Sequence, residues 1–140
     1  MNIKDMIDKP FMLIIRGLPG SGKSTFAELI SHMTVEPIVI AEADQYFVEK
    51  FDGVFEPRRI ADAHAWCRQK VQRAIDDRNN VIVSNTFTRE WEYDEYLTMA
   101  SRANYNIFVI TMNNIHGNKS THGVPEETVT KMRDRFEHSL

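Results

Sequence analysis

Short uninterrupted apolar runs alternate along this chain with stretches in which apolar residues recur every three or four positions. Phe11-Met12-Leu13-Ile14-Ile15 is continuous and brief, which suits a strand covered on both faces in a parallel sheet. Phe26, Leu29, Ile30 and Met33 then fall at i, i+3, i+4 and i+7 and predict a helix with that face inward. Pro37 precedes a second run, Ile38-Val39-Ile40-Ala41, which ends in the acidic segment Glu42-Ala43-Asp44. From Pro57 to about Arg78, helical spacing of Ile60, Ala63, His64, Cys67, Val71, Ala74 and Ile75 predicts the longest helix, with Pro57 near the favoured first turn. Asn79-Asn80 breaks that pattern before Val81-Ile82-Val83, and Tyr93, Tyr96, Leu97 and Ala100 predict a helix to about Ala103. Ile107-Phe108-Val109-Ile110 supplies a fourth strand, Gly117 to Gly123 is polar, and Pro125-Glu126-Glu127 opens a last helix carrying Val129, Met132 and Phe136. Four strands alternating with four helices predict an α/β fold. Right-handed crossovers then give a mainly parallel sheet of four or five strands flanked by helices on both faces.

Between the first strand and the first helix stands Gly17-Leu18-Pro19-Gly20-Ser21-Gly22-Lys23-Ser24, a G-x-x-x-x-G-K-[ST] loop in the strand-to-helix setting that the motif requires. Its glycines let backbone N–H groups turn inward around phosphate oxygens, and the helix that follows offers unpaired N–H groups and the positive end of its dipole. Lys23 is the expected bridge to the β- and γ-phosphates. The Ser24 hydroxyl is the expected ligand of Mg2+, an ion that keeps several waters and needs few protein ligands.

A phosphate loop binds a nucleotide without saying where a phosphoryl group goes. In parallel sheets the ligand crevice lies at the carboxyl ends of the strands, which directs attention to Asp44 after the second strand and to Ser84, Asn85 and Thr86 after the third. Asp44 is placed to accept a proton from an acceptor hydroxyl or to hold a metal-bound water; alternatively it caps a helix starting at Gln45. Neither Ser84 nor Asn85 is charged, so the carboxylate of a Walker-B strand is absent from its usual place.

Composition narrows the setting. The chain has 140 residues, enough for one domain over 1–140. Hydrophobic residues make up 42% and charged residues 26%, which excludes a disordered or fibrous chain. Seventeen Lys and Arg against 20 Asp and Glu give a net charge of −3, which argues against sequence-blind coating of duplex nucleic acid. One cysteine, Cys67, allows no internal disulfide, and no apolar stretch is long enough to span a membrane, so a cytoplasmic protein is expected.

Arg16 to Thr25, together with Ala43-Asp44-Gln45-Tyr46-Phe47, Ala63-His64-Ala65-Trp66, Asn85-Thr86, Trp91-Glu92-Tyr93 with Met99-Ala100, and His122-Gly123-Val124-Pro125, resembles the P-loop 5′-polynucleotide kinases of the phage type and the kinase domain of the Nedd4-binding-protein family. The resemblance implies the kinase-type P-loop nucleoside-triphosphate hydrolase fold and transfer of the γ-phosphate of ATP, with Mg2+, to a 5′-hydroxyl of nucleic acid or a nucleotide. It makes Asp44 the general base, Lys23 the phosphate clamp, Ser24 the metal ligand and Thr86 a substrate contact, with Asn85 and His64 beside it. Gly17, Leu18, Pro19, Gly20, Ser21, Gly22, Lys23, Ser24 and Thr25 would hold the nucleotide.

Three departures accompany the likeness. Phe47 stands where phage-type enzymes carry an arginine for the acceptor's phosphate, Ser84-Asn85 provides no carboxylate, and a short lid over 113–123 has Lys119 as its one permanent cation. Lysine lacks the planar fork of arginine, so slow transfer is expected unless Lys119, Arg89 or Arg133 serves the transferring phosphoryl group. A small-molecule kinase and a nucleotide-binding module with little turnover stay open as alternatives.

Other residues admit two readings each. His64 is a core or crevice histidine or faces substrate, and with Cys67, His116 and His122 it fits no strong zinc spacing. Trp66, Trp91, Tyr93 and Tyr96 are core aromatics or stack on bases. Arg58, Arg59, Arg68, Lys70, Arg73 and Arg78 form a solvated face or a groove for a nucleic-acid end.

Overall fold

The computed structural model describes residues 9–113 and 124–137. Strands β1 (Phe11–Gly17), β2 (Ile38–Ala41), β3 (Asn80–Asn85) and β4 (Asn106–Met112) form one parallel sheet in the order β2-β3-β1-β4. The helices are α1 (Lys23–His32), α2 (Asp44–Lys50), α3 (Ile60–Asp76), α4 (Trp91–Arg102) and α5 (Glu126–Arg135). A 3-10 turn over Pro57–Arg59 leads into α3, so Pro57 opens that turn and the regular helix begins three residues later.

Two covered faces explain the uninterrupted apolar runs of β1 and β3, whereas on the edge strand β4 Phe108 is 56% and Val109 39% exposed. Leu13 pairs with Ile82 and with Phe108, which places β1 at the centre. Alternate residues then serve opposite sides. Met12, Ile14, Val81 and Val83 pack with Cys67, Val71 and Ala74 of α3 and with Tyr96 and Ala100 of α4. Leu13, Ile15 and Ile82 meet Ala27 of α1 on the other side. Complete burial of a side chain such as Ile14 contributes about 1.5–3 kcal/mol.

Two expectations are corrected. The face of α1 is not the stripe 26, 29, 30, 33: Phe26 and Ile30 pack around Ala27, while Leu29 is 56% and Met33 76% exposed. The small Ala27 side chain makes the contact line, and Leu29, two residues on, falls on the far side of the helix. The second correction is α2, a helix the four-helix reading omitted. It starts at Asp44 itself with Ala43 as N-cap and no side-chain cap, so Asp44 is not the cap of a helix beginning at Gln45. Its seven residues are too few for periodicity to reveal.

Arg16 ties the sheet to the last helix. Fully buried, it donates through Nε (3.0 Å) and Nη2 (2.8 Å) to Phe87 O and through Nη2 to Thr88 O (3.2 Å), while its guanidinium lies 4.4 Å from the centre of the Phe136 ring. Beside it Glu137 N donates to Thr88 O at 2.6 Å, Arg135 Nε donates to Thr88 Oγ1 at 2.9 Å, and Arg89 pairs with Glu137 at 2.8 Å. These bonds seat the end of α5 on the loop after β3.

Most of the aromatic and basic residues that admitted two readings have partners within the fold. Tyr93 and Tyr96 are buried, Trp66 packs against Tyr46, and Trp91 is exposed. On α3 and its flanks, Arg58 pairs with Glu56, Arg59 with Asp62 and Arg68 with Glu95, and Lys70 donates to Gln45. Arg78 donates to Ala103 O and lies over the Tyr105 ring.

Replacing Arg16 by Met leaves the Phe87 and Thr88 carbonyls without their charged donor. The unfolding free energy is expected to fall by about 2–4 kcal/mol. An unchanged urea midpoint would contradict this role for the guanidinium.

Candidate active site

The phosphate loop leaves the sheet at Gly17, where three chain segments converge. Gly17 N donates to Thr86 O at 3.1 Å, and a Cβ on Gly17 would stand 2.6 Å from Ser21 Oγ and 2.8 Å from Met112 O. No side chain fits there. Gly22, the N-cap of α1, has φ +92°, a left-handed conformation that favours glycine. The turn between them is closed by Ser21 N donating to Leu18 O at 3.1 Å. Pro19, Lys23 and Ser24 line the adjoining crevice, whereas Thr25 is exposed on the first turn of α1.

Lys23 Nζ donates to Leu18 O at 3.1 Å, so the ammonium is held against its own loop. Burial lowers its pKa to about 8, although the charges of Asp44 and Glu42 act in the opposite direction. Cation and carboxylates therefore share one poorly solvated space.

Across the crevice, the turn from β2 into α2 is braced by amides. Asn85 Oδ1 accepts from Ala43 N at 2.8 Å, Gln45 Oε1 accepts from Glu42 N at 3.1 Å, and Gln45 Nε2 donates to Ile40 O at 3.1 Å. Asn85, expected to touch substrate, lines the crevice with its amide engaged in holding this turn. Thr86, Asp44 and His64 line the same space, so the structure brings these predicted residues together with Lys23 and Ser24. His64 is kept from charging chiefly by burial and then by Arg68, with Glu92 and Asp44 opposing. Cys67 is fully buried, its thiol pushed up by burial. Lys119 and nearly all of the expected lid lie outside the described residues, as do His116 and His122. Arg89, one of its possible substitutes, is paired with Glu137, and Arg133 is exposed at the end of α5.

Sequence reasoning passed over Glu42. The Ser24 hydroxyl donates to Glu42 Oε2 at 2.8 Å, so the carboxylate absent from the end of β3 is supplied by the end of β2, one strand away. The signal was the presence of a second acid, Glu42, directly after the apolar run of β2, at the carboxyl end of a parallel strand where the crevice lies. Ser84, at the β3 position expected to carry an acid, is 3% exposed, and its hydroxyl has no hydrogen-bond partner among the described residues. Hydroxyl and carboxylate oxygens from Ser24 and Glu42, with an orphaned hydroxyl in the same crevice, fit a hard divalent ion such as Mg2+. Among the described residues no group of three or more His, Cys, Asp or Glu could hold a metal by protein ligands alone.

The sheet order, the loop at the carboxyl end of β1 and the facing acids define a P-loop nucleotide-binding domain of kinase-like fold. The chain belongs to the AAA domain family AAA_33, whose profile matches residues 12–139. Human NEDD4-binding protein 2 is 23% identical over 134 residues, 90% of this chain but 8% of that protein's length. A chain of the Pnkp1/Rnl/Hen1 complex superposes with a TM-score of 0.63 at 22% identity, covering 88% of this chain and 38% of that one. The Mycobacterium tuberculosis APS kinase CysC (Cys556Ala mutant) gives 0.60 at 14% identity over 91% of this chain and 96% of the other. Among the described residues no helix is long and apolar enough to cross a membrane.

Gly17→Ala is expected to lose at least about 1–3 kcal/mol of stability, because backbone as well as a side chain must shift. Thermal unfolding with and without nucleotide checks it, and a variant that binds and unfolds like the parent would refute the close approach. The Lys23 shift has a defined pH signature. Its folded pKa lies below the unfolded value, so the unfolded chain binds more protons between about pH 8 and 10.5, and this contribution to stability rises with pH across that window. Comparing urea midpoints of the parent and Lys23→Met isolates it; a parent-minus-variant difference flat from pH 8 to 10.5 would contradict it.

Proposed function

We propose that this domain binds ATP with Mg2+ and transfers the γ-phosphoryl group to a hydroxyl acceptor. The observation that carries the reading is that Lys23 and Ser24 of the phosphate loop face Glu42 and Asp44 across a single crevice. Lys23 exchanges its bond to Leu18 O for phosphate oxygens, and the backbone N–H groups of the loop cradle the remaining phosphates. Glu42 accepts the hydrogen bond of the Ser24 hydroxyl and so turns a lone pair of that oxygen toward the ion site. Bound Mg2+ neutralises phosphate charge during transfer, and Ser24 and Glu42 are the residues that would hold it. Asp44 lines the same crevice, where it accepts the acceptor's proton as its oxygen attacks. With Glu42 in this role, the expectation of slow transfer rests only on the cation available to the phosphoryl group.

The resemblance to polynucleotide kinases supports a 5′-hydroxyl of nucleic acid or a nucleotide as acceptor. A second reading, a small hydroxyl compound, is favoured by the apolar walls that Phe47, Phe55 and Met132 give the crevice.

Transfer of label from γ-32P ATP, offered separately with a 5′-hydroxyl oligonucleotide, a nucleoside and water, tests the proposal. Mg2+-dependent labelling of an organic acceptor is expected. Lys23→Ala should lower it at least about a hundredfold, and Asp44→Asn should lower kcat by about 10²–10⁴ while leaving ATP affinity in place. Glu42→Gln should weaken the Mg2+ enhancement of ATP binding, read by calorimetry. Phosphate release to water alone, or undiminished transfer by Asp44→Asn, would overturn the assignment.

A further inference from the structure

The crevice is lined by two kinds of side chain. Lys23, Ser24, Glu42 and Asp44 give it a polar lining, and Phe47, Phe55, Ile60, Ala63 and Met132 an apolar one. The Phe47 and Phe55 rings lie 5.3 Å apart between centres, each supporting the other. Ile60, the first residue of α3, is 41% exposed at this wall, an apolar side chain maintained against solvent. Cations are scarce here. Lys23 is the one Lys or Arg among the described residues that line the crevice, and in the proposed reaction it serves the nucleotide. The nearby arginines Arg58, Arg59 and Arg68 face Glu56, Asp62 and Glu95 instead. Burial keeps His64 predominantly neutral near pH 7.

We infer that the crevice receives the hydroxyl of an uncharged molecule, which lays an aromatic or aliphatic face on Phe55 and Ile60, backed by the buried Phe47, and that it disfavours acceptors carrying a phosphate close to that hydroxyl. A phosphate there would enter a poorly solvated space beside Asp44 and Glu42, where the described lining residues offer no Lys or Arg besides Lys23. A neutral ring or chain loses little on entry and covers apolar surface. The inference rests on the phosphotransferase reading and selects among its acceptors. In the reaction, the acceptor oxygen bonds to the γ-phosphorus as the bond to the β–γ bridging oxygen breaks. ADP leaves with that electron pair, and the hydroxyl proton passes to the Asp44 carboxylate.

The test uses matched acceptors that share a 5′-hydroxyl, base and ribose: adenosine with adenosine 3′-monophosphate, and thymidine with thymidine 3′-monophosphate. The full chain with ATP and Mg2+ is expected to phosphorylate the neutral member with a kcat/KM higher by about tenfold or more. Ile60→Lys adds a cation at an exposed position of the wall without opening the core, and should shift that ratio toward the monophosphate by a similar factor. Saturation-transfer NMR with ADP bound reads the same preference without turnover, through the base protons of the nucleosides and not of the monophosphates. Equal or better use of the monophosphates by the parent chain, or a ratio unmoved by Ile60→Lys, would overturn this inference and leave the phosphotransferase reading standing. Binding of ATP with transfer to no acceptor would overturn both.

Discussion

The missing side chain of Gly17 is the constraint on which the site depends. At that residue the end of β1, the carbonyl of Met112 at the end of β4 and the Ser21 hydroxyl of the turn approach to distances that a Cβ would violate, while Gly17 N is fixed to Thr86 O beyond β3. Three parallel strands thereby end at one level, and the loop that follows begins α1 directly over their carboxyl ends. A ligand crevice is the geometric result, because parallel strands connected by right-handed crossovers deliver all their following loops to the same edge.

The acids that face this loop are placed by neutral groups. Asn85 and Gln45 hold the backbone of the β2–α2 turn, and that turn presents Glu42 to Ser24 and Asp44 to the crevice. Amides suit this work because they donate and accept without adding charge, and Gln45 Oε1 also accepts from Lys70 Nζ at 2.8 Å. Burial then sets the balance. The ammonium is poorly solvated and holds its proton less tightly than a free lysine even with two carboxylates nearby.

The opposite wall is carried by α5, and its seating depends on Arg16. A guanidinium buried between β1 and the loop after β3 satisfies backbone carbonyls and stacks on Phe136, and the bonds from Arg135 and Glu137 to Thr88 anchor the same end. Because Thr128 and Met132 of α5 line the crevice, this anchor links the core of the sheet to the space where an acceptor would lie. The charge does not line the crevice, yet it anchors the helix that forms part of its wall.

Local spacing was enough to read four strands, four helices, the phosphate loop and the position of Asp44 at the end of β2. Each depends on a repeat or motif confined to a few consecutive residues, and hydrophobic periodicity reports such arrangements directly. The rest needed chain segments brought together from far apart. Which side of α1 would pack was decided by the close fit of Ala27 on the sheet; the seven residues of α2 were too short to show a period; and the partner of Ser24 came from a strand that lies beside β3 and not beside β1. Asn85 and Ser84 illustrate the difference within one strand. That two polar residues follow an apolar run is plain from their order, but it took the folded sheet to make one amide brace the acidic turn while the neighbouring hydroxyl is buried without a described partner, because strand order and the alternation of side chains set what each one meets.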